Sequence, residues 1–383
     1  MSTQEARTKV VWDYAPAPES ADHVRLRDSY GLFIDGEFRD PADGRRVPSI
    51  NPATEESLAE VAFAGEADLG AAVRSARAAQ PRWAALSGLE RGKYLFRVAR
   101  LIQERTRELA VAESMDGGKP IRESRDIDVP LAAAHFFYYA GWADKLAYGL
   151  GGREVTPHGV AAQIVPWNFP LLMAAWKLAP ALACGNVAIL KPAETTPLTA
   201  LLLGEILQEA ELPPGVVAIL PGDGAAGASL VRQPDIDKVA FTGSTAVGKD
   251  IQAALAGRGV SLTLELGGKS ANIVFEDAAL DQAVEGIVNG IFFNQGHVCC
   301  AGSRLLIQES VADEVIGKLW ERMGRLRVGD PLDKNTDVGA INSREQLARI
   351  EELVSAGENE GALRRTVACE LPERGYWFAP TIF

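Results

Sequence analysis

Hydrophobic and polar positions follow three regimes along the 383-residue chain. The first thirty residues, including YAPAPES at 14–20, are rich in Pro and Ala and show no period, which predicts an extended arm. FIDGEF at 33–38 alternates around Asp35-Gly36, the dipeptide favoured in a two-residue hairpin turn. From Glu66 to about Leu146 the apolar spacing turns helical with mixed charged faces.

From Gly159 onward short apolar, β-branched runs alternate with helical stretches: VAAQIV, then a helix from Leu171; VAIL, then a helix after Thr196-Pro197; VVAIL; KVAFTG, then a helix; and SLTLEL. This alternation predicts a parallel sheet with crossover helices. The Thr196 hydroxyl is the expected cap of its helix, Pro197 suits the first turn, and Leu212-Pro213-Pro214-Gly215 ends it. A further unit opens at Ala271, with SANIVF as a strand and Leu280–Phe293 as a helix leading to NQGHVCCAGSR at 294–304. YWFAPTIF at the end reads as a strand.

Composition narrows the function classes. A chain this long and 47% hydrophobic supports about two or three domains. A formal charge of -12 and a pI near 5.0 oppose phosphate backbones and anionic lipid, so neither nucleic acid nor membrane is an expected partner. MSTQEARTK lacks the apolar core of a signal peptide, the stretch from Leu178 to Leu190 is too short to span a bilayer, and a cytoplasmic location is expected. Four scattered cysteines, none in a CxxC, fit a reducing compartment and no zinc ribbon, and no metal is expected.

Several strand ends carry groups suited to chemistry. FTGSTAVG at 241–248 joins a strand to a helix, so its backbone N–H groups can face an anion such as a pyrophosphate; tight packing is the alternative use of such glycines. KPAE puts Lys191 and Glu194 at the carboxyl end of the sheet, where a carboxylate suits a ribose diol and repels a 2′-phosphate, favouring NAD over NADP. In PWNFP, 166–170, Asn168 sits between prolines and offers a neutral donor to an oxyanion, or serves the turn itself. Glu265 ends an apolar strand in LELGGKS, where partial desolvation is expected to favour a general base; a backbone-bonded strand end is the plainer reading.

Cys299 and Cys300 are open to three readings: inert core thiols, ligands of a metal with His297, or a nucleophile at one of the two positions. Cys184, placed in an apolar helix, and Cys369 read as structural.

Taken together, PWNFP, KPAE, FTGST followed by VG, LELGGKSAN and NQGxxCxAGSR resemble the aldehyde dehydrogenase superfamily in order and near-family spacing, from about Tyr30 to Phe383. YAPAPES and the segment 305–333 resemble its tandem-domain family 16 branch. The resemblance implies an α/β fold with a Rossmann-like NAD-binding domain and a second α/β catalytic domain, incomplete here. Expected boundaries are an arm at 1–29, a hairpin and helical part at 30–141, a shortened oligomerisation segment at 142–158, the Rossmann-like domain at 159–264 and the catalytic domain at 265–383.

By register, the resemblance implies Cys299 as nucleophile, with Cys300 in a variable place, Glu265 as base, Asn168 as oxyanion donor and Lys177 as proton-relay partner. It implies Lys191 and Glu194 at the adenosine ribose, and Gly243 and Ser244 at the pyrophosphate. Ile164, Val165, Trp167, Gly224, Gly227, Phe241, Val247, Leu266 and Gln346 complete the implied cofactor contacts. The implied activity is NAD-dependent oxidation of an aldehyde to a carboxylic acid through a cysteine thioester. His297 stands where the family often has Gln; a packed or solvent-facing ring is expected there rather than one that activates the thiol.

Three departures carry expectations of their own. Ala246 replaces a common acidic residue, which backbone phosphate binding tolerates. The stretch between Trp142 and Gly159 is short, so a homodimer is expected rather than a tetramer. Relatives continue past PTIF into further catalytic-domain sequence, so the chain is expected to be truncated or one part of a longer tandem protein, its final strand an exposed edge. The alternative function is therefore an aldehyde-dehydrogenase-like scaffold or binding module without turnover.

Overall fold

The computed structural model describes residues 15–153 and 155–383. The expected arm is described only from Ala15; it lies against the loop near 330, with Pro18 bridged to Asp333 and the Glu19 N–H donating to the Leu332 carbonyl. Its Tyr14 and the MSTQEARTK segment lie outside the described residues.

The chain then forms β1 (Ser29–Tyr30), β2 (Leu32–Ile34), β3 (Glu37–Arg39), β4 (Arg46–Ile50) and β5 (Ser57–Ala62). β2 and β3 are the expected hairpin, and Asp35 and Gly36 take φ values of 58° and 80°, the left-handed pair a tight hairpin turn needs. The helical stretch resolves into α1 (Glu66–Ala85), α2 (Gly88–Glu104), α3 (Thr106–Gly117), α4 (Ile121–Glu123), a π turn at Ser124–Asp128, α5 (Val129–Trp142) and α6 (Leu146–Gly149).

The alternating region gives β6 (Val160–Ile164), α7 (Pro170–Ala183), β7 (Val187–Lys191), α8 (Leu198–Glu209), β8 (Val217–Ile219), α9 (Gly224–Arg232), β9 (Lys238–Gly243), α10 (Thr245–Leu255) and β10 (Ser261–Leu266). Seven strands form one sheet in the order β10-β9-β6-β7-β8-β2-β3. The first five run parallel, and the hairpin joins the edge antiparallel. β6, β7 and β8 are buried along their length, which is why they read as continuous apolar runs. β10 continues through Glu265 and Leu266, two residues past the boundary expected at 264.

The expected Thr196 cap is not made. Asp116, at the end of α3, accepts the Leu198 N–H at 2.9 Å, and Thr196 Oγ turns instead toward the Trp167 carbonyl at 3.4 Å. A buried acceptor from a neighbouring helix outcompetes the local hydroxyl, a tertiary choice that local sequence does not encode.

The last unit holds β11 (Ala271–Val274), α11 (Leu280–Phe292), β12 (Arg304–Ile307), α12 (Ala312–Met323), α13 (Arg344–Asn359), β13 (Arg365–Thr366) and β14 (Thr381–Ile382). β11 and β12 pair in parallel and α11 packs with α12 around Val284, Val288, Val315 and Leu319. Of YWFAPTIF only Thr381–Ile382 forms a strand, paired antiparallel with Arg365–Thr366. No helix among the described residues is long and apolar enough to cross a membrane.

Candidate active site

β6 lies between β7 and β9, so the crossovers leaving β6 and β9 depart toward opposite sides and leave a crevice at the carboxyl ends of these strands. Into this crevice the chain delivers Ile164, Val165 and PWNFP from β6, Lys191 from β7 and Gly243-Ser244 from β9.

The β9–α10 junction is built for close approach. Ser244 is the N-cap of α10 and its hydroxyl accepts the Val247 N–H at 3.3 Å. A Cβ on Gly243 would lie 2.5 Å from the Phe241 ring, so only glycine fits beside that buried aromatic. Gly248 is pressed in the same way against Leu266, where a Cβ would approach Cδ2 to 2.6 Å. Ser244, Ala246 and Val247 are exposed at the helix start. Free N–H groups of a first turn favour a negative ligand.

Lys191 is 4% exposed, yet its Nζ finds the Pro192 carbonyl at 2.9 Å and Glu194 at 3.5 Å. Burial pulls its pKa down, against the Glu194 carboxylate. Glu194 itself is exposed. Gly227, on α9, packs on the Lys191 stem, where a Cβ would stand 3.4 Å from Cδ and 3.8 Å from Ile164 Cδ1; a Cβ on Gly224, at the start of α9, meets nothing within 4 Å. Val165 closes the crevice floor through its N–H to the Lys191 carbonyl at 3.1 Å.

The thiol turn carries three left-handed residues in a row. Asn294, Gln295 and Gly296 adopt φ of 48°, 54° and 80° in succession. Asn294 Nδ2 donates to the Asn168 carbonyl at 2.7 Å, and Asn168 Nδ2 donates to the His297 carbonyl at 2.8 Å. PWNFP and the cysteine turn are thereby stitched together from both sides. Trp167 meets the His297 ring edge-on at 4.8 Å, and Gln346 on α13 approaches His297 Nε2 at 3.3 Å.

His297 is packed, as expected. Burial drives its pKa down to about 4, so the ring is neutral near pH 7 and supplies no charge to the thiol. Cys299 and Cys300 are both exposed. The Cys299 thiol is pushed up, first by burial and then by its neighbour Cys300. The inert-core reading therefore fails for both, and no three-residue cluster of His, Cys, Asp or Glu among the described residues could hold a metal.

Glu265 corrects one expectation. It is exposed rather than desolvated, because β10 is the sheet's outer strand and its end faces open space. It shares a cavity of about 390 Å³ with Lys177, Trp176, Lys238 and Thr263. Lys177 is 9% exposed, and burial brings its pKa down to about 8 against the opposing pull of the Glu265 carboxylate. The glycine turn after Glu265 reaches the thiol segment: a Cβ on Gly268 would lie 3.6 Å from the Cys299 carbonyl. Cys184 also departs from its reading; it is exposed, stands at the C-cap of α7 rather than inside it, and lines the same cavity.

Sequence reading missed a layer beneath these loops: Glu113, Lys119, Glu123 and Asp128, all at most 4% exposed. The signal was present in α3, whose Leu109, Glu113 and Asp116 follow helical spacing on a helix that is buried on nearly every side.

A sequence profile of the aldehyde dehydrogenase family matches residues 38–383. The chain is 46% identical to retinal dehydrogenase 2 of Homo sapiens over 366 residues, covering 92% of this chain and 70% of that protein. It is 45% identical to aldehyde dehydrogenase family 2 member B4, mitochondrial, of Arabidopsis thaliana, covering 92% and 68%. Among solved structures, the NAD+ complex of aldehyde dehydrogenase from Bacillus cereus superposes with a TM-score of 0.88 at 38% identity, covering 94% of this chain and 77% of that one. With the doubly stitched cysteine turn at the carboxyl edge of a Rossmann-like sheet, these matches show that the chain belongs to the aldehyde dehydrogenase family.

Proposed function

We propose that this aldehyde dehydrogenase oxidises an aldehyde to a carboxylic acid with NAD, through a thioester on Cys299. The observation that carries the reading is the paired hydrogen bonding of Asn168 and Asn294, which ties an amide donor to the cysteine turn.

The residues of the crevice fit a dinucleotide. Gly243 and the Ser244-capped start of α10 would hold the pyrophosphate, Gly243 being a position where the Phe241 ring admits no side chain. Lys191 and Glu194 would hold the adenosine ribose, with Ile164, Val165, Trp167, Gly224, Gly227, Val247 and Leu266 lining the approach. Gln346, which meets the His297 ring that Trp167 packs against, would also touch the cofactor. Bound NAD supplies the hydride acceptor.

Cys299, exposed to solvent, gives its proton to water and its sulfur adds to the aldehyde carbon, giving a thiohemiacetal. Asn168 Nδ2 carries two hydrogens; one is taken by the His297 carbonyl, leaving the other, with the Cys299 N–H, for the oxyanion. Once hydride has left, Glu265 takes a proton from water, which attacks the thioester and frees the thiol. Lys177, with its pKa near 8 in the cavity that Glu265 lines, would pass that proton outward.

The test is NADH formation from short and aromatic aldehydes, with Cys299→Ala as control; activity that survives the substitution rejects the reading. A binding module without turnover is the second reading, favoured by the open setting of Glu265. Sustained NADH production eliminates it.

A further inference from the structure

Beneath the two site loops lies a group of charged side chains that the chemistry above leaves unused. Glu113 is on α3, Lys119 follows the Gly117-Gly118 turn, Glu123 closes α4 and Asp128 ends the π turn. Lys119 Nζ meets Glu113 at 3.3 Å and pairs with Asp128. One cation faces three carboxylates, and burial raises the Glu113 and Glu123 carboxyls to about 8. Buried ion clusters are often replaceable by apolar side chains without loss of stability, so this one calls for another reason.

Its contacts supply one. Glu123 Oε2 accepts the Asn294 N–H at 2.9 Å, at the first residue of the left-handed turn. Lys119 Nζ lies 4.3 Å from the centroid of the Phe169 ring, and that ring stacks on Phe293 at 6.2 Å. The cluster thus grips the residue after Asn168 and the two residues that begin the run to Cys299. Consecutive left-handed positions at non-glycine residues persist only where the surroundings hold them. Further tethers on the turn are Asn294 to the Asn168 carbonyl and Gln295 Nε2 to the Ala340 carbonyl at 2.8 Å.

We propose that Glu123 is a positioning residue for the Cys299 nucleophile: by accepting the Asn294 N–H it holds the left-handed turn that presents the thiol, while Lys119 fixes the Asn168 loop through Phe169. This rests on the reading of Cys299 as nucleophile.

The experiment is the rate of iodoacetamide alkylation at each cysteine of the 383-residue chain, followed by peptide mass mapping, with Cys184 and Cys369 as internal references. Alkylation needs no cofactor or turnover, so it separates failure of this proposal from failure of the dehydrogenase reading. In Glu123→Ala the Cys299 rate, normalised to the references, is expected to shift about fivefold or more, since small displacements of a reacting group have large rate effects. Glu123→Gln keeps an acceptor oxygen in the same place and is expected to stay within about twofold, a rescue that the alanine variant, with no acceptor, does not give.

Should the alanine variant fail to fold by circular dichroism, Glu123→Asp, which keeps the carboxyl group and withdraws its oxygen by one methylene, takes its place with the same expected shift. Absence of the shift in the folded variant overturns the proposal, and so does an equal shift in Glu123→Gln. Preferential alkylation of Cys300 in the unsubstituted chain overturns the nucleophile reading and the proposal with it.

Discussion

Asn168 and Asn294 are tied across 126 residues of sequence, Asn294 Nδ2 donating to the Asn168 carbonyl at 2.7 Å while the Asn168 amide spans to His297. Each asparagine completes the other's turn. The amide that would meet an oxyanion is therefore set by the same bonds that set the thiol.

The two adjacent thiols are expected to behave differently. Cys299→Ala should lower aldehyde-dependent NADH formation by about 10³-fold or more, because on this assignment the thioester forms on Cys299 and not on the neighbouring Cys300 thiol. Cys300→Ala should stay within about threefold of the parent, and should lower the Cys299 pKa slightly, since Cys300 is among the groups that push it up. Initial rates across pH 6–10 check both. Loss of activity in the Cys300 variant with retention in the Cys299 variant would reverse the assignment.

Asn168→Ala is expected to reduce kcat by about 10²–10³-fold, the usual consequence of removing one oxyanion donor. The same change removes the bond to the His297 carbonyl, so the thiol turn loosens too. NAD binding, followed by quenching of protein fluorescence, should change little, because the phosphate cradle at Gly243 and Ser244 is built from another strand. A variant with unchanged kcat would remove Asn168 from the chemistry.

What was legible in sequence and what was not divides along one physical line. The hairpin at Asp35-Gly36 and the buried strands β6 to β8 were readable because backbone conformation and burial on both faces impose themselves locally. The cap of α8 is not legible locally because its acceptor, Asp116, comes from 82 residues earlier. Glu265 was expected to be desolvated because its strand is apolar, but the side chain's exposure follows from β10 lying at the edge of the sheet, which strand order decides. Glu123 is silent for the same reason: nothing near it in sequence says that its oxygen meets Asn294.

Glu113 makes stability depend on pH in a fixed direction. Its carboxyl, ordinarily near 4.5, is raised by burial to about 8 in the folded chain. Between those values the folded state holds a proton that the unfolded state releases, so the contribution is fully present below about 4.5 and is lost as pH rises through 8. The slope for one such group is at most about 1.4 kcal/mol per pH unit, lessened by coupling to Lys119 and Asp128. Glu113→Gln cannot titrate, and its thermal midpoint should fall less between pH 6 and 8.5 than the parent's. Parallel curves in differential scanning calorimetry would show that Glu113 holds no such proton.

Cofactor choice should turn on Glu194. It is exposed at the end of KPAE, 3.5 Å from the buried Lys191 Nζ, which limits where its carboxylate can reach. A ribose diol can donate to that carboxylate; a 2′-phosphate in the same place would set two anionic groups side by side. In an exposed site this repulsion is worth about 1–3 kcal/mol, roughly 5–150-fold in the preference for NAD over NADP. Glu194→Gln keeps the shape and removes the charge, so the ratio of kcat/KM for NAD to that for NADP should fall by that factor, mainly through a lower KM for NADP. Because Lys191 would remain and its charge would lose its partner, attraction for the phosphate should reinforce the change. A ratio that moves less than about twofold would place the choice elsewhere in the crevice.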